Sequence, residues 1–144
     1  MFDTVLADHP DVRGALDEAW AAAWASVDPV LLELCRLRIA TLLGCEDGLA
    51  TRTPAAVEAG LDEAMVAALA GWPHDERFGA RERACLAFTE QFVIDVAGLD
   101  DATAAAVRDE LGDDGLADFV NALLVVEQRQ RLRLTWARLW GDAA

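Results

Sequence analysis

The chain has 144 residues and a formal net charge of −14, with 26 acidic against 12 basic side chains. That charge repels phosphate backbones and anionic headgroups, which argues against nucleic acid and membrane surfaces as partners. The length fits one domain over residues 1–144. The hydrophobic fraction of 54% is rich in alanine, with scattered β-branched residues and little glycine or proline, and reads as all-α.

Every basic residue is arginine, so lysine Schiff-base or general-base chemistry is excluded, and tyrosine is absent as an acid. Three cysteines, Cys35, Cys45 and Cys85, are too few and too odd for a disulfide scaffold, which predicts a reducing, cytoplasmic setting. Asp3 and Asp8 without a cationic flank do not read as a signal peptide, and the apolar stretch Ala19 to Val27 is under half a membrane span.

Taken in chain order, a first helix is predicted from about Pro10 to Val27, with Leu16, Trp20, Ala23, Trp24 and Val27 on one stripe. Asp28-Pro29, an acceptor followed by proline, starts a second helix that ends near Gly44. A third opens around Cys45 and closes at Gly60, interrupted or restarted at Thr53-Pro54. Asp62 begins a fourth that stops at Gly71, and residues 72–75 form a loop. A fifth spans roughly Ala80 to Val96, Asp101 caps a sixth, and Asp113 or Asp114 precedes a long seventh reaching Trp140. Six or seven helices with short connections define a compact bundle or array.

Few residues stand out chemically. Glu33 lies between Leu32 and Leu34 on an apolar helix, either paired with Arg36 one turn on or buried with a raised pKa and fit for proton transfer. Cys45 stands at a helix start, which favours a thiolate, although Glu46 and Asp47 oppose it. Cys35 and Cys85 read as core residues. On the last helix the stripe Leu116, Val120, Leu123 continues into Glu127, Gln130 or Arg131, Leu134 and Arg138. Either these groups face a cleft or the helix turns them to solvent. His9 and His74 fit surface or capping roles. No metal-ligand spacing, phosphate loop or nucleophile elbow is present, so no metal or cofactor is expected.

The runs Glu33-Leu34-Cys35-Arg36-Leu37-Arg38, Gly44-Cys45, Ala56-Val57-Glu58-Ala59-Gly60-Leu61 and Arg81 to Glu90 give residues 28–98 a recognisable pattern. It resembles the carboxymuconolactone decarboxylase superfamily, in its alkylhydroperoxidase D-like branch. The resemblance implies that fold, a homo-oligomer, and a site built on a glutamate and a Cys-x-x-Cys pair followed by histidine. Glu33 and Cys45 match, but Gly48 stands at the second cysteine, Arg52 at the histidine, and Asp47 where some members carry another histidine. Without a second thiol Cys45 cannot close the short disulfide, and Cys35 substitutes only within about 7 Å between α-carbons. Arg52 cannot exchange a proton at neutral pH.

These departures predict a cofactor-independent, non-redox enzyme of lyase, isomerase or dehydratase type, acting on a small anionic or enolisable compound. Glu33 is the expected acid/base and Cys45 or Asp47 the second proton-transfer group. Arg52 and Arg131, with Glu127 beside the latter, form the substrate-binding set. The alternatives are a non-catalytic oligomeric binding protein and a one-cysteine thiol peroxidase. Trp20, Trp24, Trp136, Leu139 and Trp140 offer apolar surface for a homo-oligomer.

Overall fold

Local capping chemistry sets most helix ends. The computed structural model describes residues 2–141, so residues 1 and 142–144 of the expected 1–144 domain lie outside the described residues. The described residues form helices and no strand. A four-residue α1 (Phe2–Val5), which no periodicity announces, precedes α2 (Pro10–Ser26). In α3 (Pro29–Leu43) Asp28 accepts the Leu31 N–H at 2.9 Å and Pro29 fills the first turn, where no amide partner is needed. Gly44, at φ 67°, ends it in the left-handed conformation.

The expected third helix is two short ones, α4 (Glu46–Ala50) and α5 (Pro54–Glu58), because Pro54 cannot continue a helix from Thr53. Asp62 caps α6 (Glu63–Ala68), and a short 3₁₀ turn Leu69–Gly71 follows. Next come α7 (Ala80–Ile94) and α8 (Asp101–Trp140). The cap of α8 is Asp100, one residue before the expected Asp101; its carboxylate accepts the Thr103 N–H at 2.8 Å. The break expected near Asp113 falls at Gly112, whose φ of 79° and ψ of 174° a side chain would strain.

The core explains the site. Residues 31–37 of α3 are buried without interruption, so this helix is surrounded on all sides by α7, α8 and the α4–α5 segment. A helix enclosed all round must be apolar all round, and its polar residues must satisfy one another. On α8 the buried line is Phe119, Leu123, Val126 and Gln130, with Phe119 packed edge-on to Phe88 of α7 at 5.8 Å. Glu127 and Arg131 lie one residue, or about 100°, further round the helix. That rotation settles where the α8 polar groups go. Trp24 and Trp136 are buried and Trp20 is half-buried, leaving Leu139 and Trp140, 64% and 55% exposed, as the uncovered part of the expected apolar surface.

Candidate functional site

Glu33 is fully buried and Arg36 nearly so. Arg36 grips the carboxylate with both arms of its guanidinium, Nε to Oε2 at 2.8 Å and NH2 to Oε1 at 2.6 Å. Planar fork geometry suits such a pair, and a lysine could not reproduce it. The remaining donors of Arg36 reach the Gly48 carbonyl and the Thr51 carbonyl, each at 2.9 Å, while the Thr53 N–H donates to Glu33 Oε1 at 3.1 Å. Gln130 Nε2 donates to the Arg36 carbonyl at 2.9 Å and ties in α8. A buried ion pair thus holds segment 48–53, α3 and α8 together.

A cavity of about 260 Å³ opens against this network. Its floor is Arg36 and the Thr51 to Pro54 turn, and its walls are Trp20 of α2 and Arg129, Gln130 and Arg133 of α8. Four of the chain's 12 arginines therefore meet at one place on a protein of net charge −14. Among the described residues no carboxylate, imidazole or thiol lines it.

The arginines differ in how they are compensated. Arg36 is matched by Glu33. Arg52 binds Glu63 through Nε at 2.9 Å and NH2 at 3.1 Å, and this hydrogen bonding raises the guanidinium's pKa and lowers that of the carboxylate. Arg129 lies over the Trp20 ring at 4.6 Å and meets Asp17 at 3.5 Å. Burial lowers its pKa foremost; Asp17 opposes that shift and Arg133 adds to it. No hydrogen bond or ion pair among the described residues engages Arg133.

The expected site residues are dispersed. Glu33 is buried as expected but stands behind the cavity wall, in contact with the lining residues Arg36 and Thr53. Arg52 lines the cavity. The expectation that Arg131 shares it is corrected: Arg131 binds Glu127 through Nε at 2.9 Å, and both face a separate groove along Phe92 to Ala97, because α8 presents Gln130 rather than its neighbours to α3. Cys45 is 2% exposed and, with Glu46 and Asp47, borders a second small cavity that Arg133 also lines. The Cys35 and Cys85 thiols are buried, and desolvation pushes Cys35 up to about 12 and Cys85 higher still, so neither is a nucleophile at neutral pH.

Arg129, Arg133 and Trp20 are cavity-lining residues that the sequence did not single out for the site. Their signal was an i, i+4 pair of arginines flanking Gln130, but reading it requires the rotation of α8, which only Phe119, Val126 and Gln130 fix by their burial.

Residues 10–91, more than half of the chain, match the Carboxymuconolactone decarboxylase family, and the chain belongs to that family. No curated protein matches it.

Proposed function

We propose that this protein recognises a small organic carboxylate in the arginine-lined cavity, with Glu33 as the residue that positions its floor. The observation that carries the reading is the convergence of Arg36, Arg52, Arg129 and Arg133 on one cavity of a chain otherwise dominated by acids. Guanidinium groups hold carboxylates through planar, charge-assisted hydrogen bonds, and the partly dry walls strengthen them. Trp20 and Pro54 give the ligand's carbon skeleton apolar contact. A volume of about 260 Å³ suits a ligand smaller than a drug-sized molecule, whose sites begin near ~300 Å³.

A second reading makes the chain a cofactor-independent lyase, isomerase or dehydratase of the alkylhydroperoxidase D-like branch, with Glu33 as acid/base. The hydrogen bonds that Glu33 accepts from two cavity-lining residues, Arg36 and Thr53, favour it. It requires the carboxylate to exchange Arg36 for a substrate proton, after which Arg129 and Arg133 stabilise the enolate. Cys45 or Asp47 would supply the second proton from the neighbouring cavity. The one-cysteine peroxidase reading gains nothing, since it needs an accessible Cys45 and that residue is 2% exposed.

Amide and indole NMR shifts during titration with millimolar benzoate test the proposal. Shifts centred on Trp20 and residues 51–53 are expected, and Glu33→Gln should weaken binding while the fold persists. No response to benzoate or to butanoate would overturn it. A carboxylate that is turned over by the wild type, and bound but not turned over by Glu33→Gln, would establish the second reading.

We also propose that the chain self-associates, supported by the exposed Leu139 and Trp140 at the end of α8. Sedimentation should give a mass above 15.5 kDa at micromolar concentration; a monomer of that mass would contradict it.

A further inference from the structure

We infer that the ligand of this cavity carries a single negative charge, and that Arg133 is the residue that takes it. The inference rests on the carboxylate-binding reading above and sharpens it.

Three of the four arginines already have an acid. Glu33 takes both arms of Arg36, Glu63 takes two nitrogens of Arg52, and Asp17 meets Arg129 at 3.5 Å while the Trp20 ring receives its face. Arg133, one helical turn beyond Arg129, brings a fourth cation with no acid paired to it among the described residues. Like charges at i, i+4 repel, and the lowered pKa of Arg129 carries a contribution from Arg133. One anionic charge between them relieves that repulsion; a second would find only arginines whose acids are in place.

The position of Arg133 also says on which side the anion sits. Its side chain separates the arginine cavity from the smaller one bordered by Cys45, Glu46 and Asp47. On that side two carboxylates repel an anion, and on the other Arg36, Arg52 and Arg129 attract it. The net charge of −14 raises the cost of every further negative charge on a ligand. Selection for a monoanion over a dianion follows.

Butanoate and succinate share a four-carbon chain and differ in the second carboxylate, so their dissociation constants, read by NMR titration of the full chain, give the test. Butanoate should bind the wild type several-fold more tightly than succinate. Arg133→Met should weaken butanoate about tenfold or more, the worth of one charge-assisted contact, and Arg133→Lys should recover part of it. Because Arg133 is only half-buried and anchors nothing, both variants should give the wild-type amide spectrum away from the cavity. Tighter binding of succinate, or wild-type affinity in Arg133→Met, would overturn the inference while leaving the carboxylate site standing. If neither acid binds the wild type, the site itself is refuted and this inference with it.

Discussion

Replacing Arg36 by methionine is expected to cost about 3–5 kcal/mol of stability, the range found when one member of a buried ion pair is removed. The variant leaves the Glu33 carboxylate fully buried with the Thr53 N–H as its remaining hydrogen-bond donor, and it removes the Arg36 donor from the Gly48 carbonyl and one of two arginine donors from the Thr51 carbonyl, Arg52 NH1 staying at 2.9 Å. A fully buried carboxylate that keeps one neutral donor and loses its cation is left with most of its desolvation cost uncompensated. For a chain of this size the midpoint of thermal unfolding should fall by on the order of 10–20 °C. Adding Glu33→Gln to Arg36→Met should recover part of the loss, since a neutral amide tolerates burial that a lone carboxylate does not. Thermal and urea unfolding of the wild type, the two single variants and the double variant close the cycle. A loss below ~1 kcal/mol in Arg36→Met would mean that the pair is effectively solvated.

Gly48→Cys is expected to give Cys45 a thiol partner one helical turn away. A β-carbon at position 48 would lie 3.2 Å from Cys45 Sγ, one helical turn away, which leaves room for an S–S bond of about 2.05 Å between the two side chains. The same β-carbon would meet Gln130 Oε1 at 3.0 Å and Ala40 Cβ at 3.2 Å, so the reduced variant should be destabilised by roughly 1–3 kcal/mol, as overpacked sites are. Mild peroxide should leave the wild type without rapid loss of two thiols, because burial pushes the Cys35 thiol up to about 12 and raises that of its neighbour Cys85, so neither forms a thiolate at neutral pH. The variant should lose two thiols per chain, and a dithiol should restore them. Rapid paired loss in the wild type would show that Cys45 finds a partner by itself and would revive a disulfide cycle.

How far the sequence could be read depended on whether the deciding interactions were local. Asp28-Pro29, Gly44, Thr53-Pro54 and Asp62 act within one turn of themselves, and each marks a helix boundary where the structure has one. The family pattern was legible because its runs are contiguous stretches of sequence, on α3, the segment after it and α7. The burial of Glu33 followed from Leu32 and Leu34 on either side, although the choice among Arg36, Arg52 and Arg131 as its partner did not. The nearest cation took it, because a helix buried on every face admits no other cation without a gap in its packing. The direction of α8 was the least legible feature. Two adjacent stripes, one through Val126 and Gln130 and one through Glu127 and Arg131, satisfy the same period, and only packing against α3 and α7 distinguishes them. With Gln130 and Arg131 left as alternatives on one stripe, nothing local singled out Arg129 and Arg133 as the arginines that line the cavity.

We propose above all that a small carboxylate sits among the arginines of this cavity. A crystal structure of the full chain grown in millimolar benzoate tests it most directly. Benzoate should lie between Trp20 and the Thr51 to Pro54 turn, its carboxylate against Arg133, with the Glu33–Arg36 pair unbroken beneath it. Benzoate bound instead in the groove of Glu127 and Arg131, with the arginine cavity empty, would contradict it.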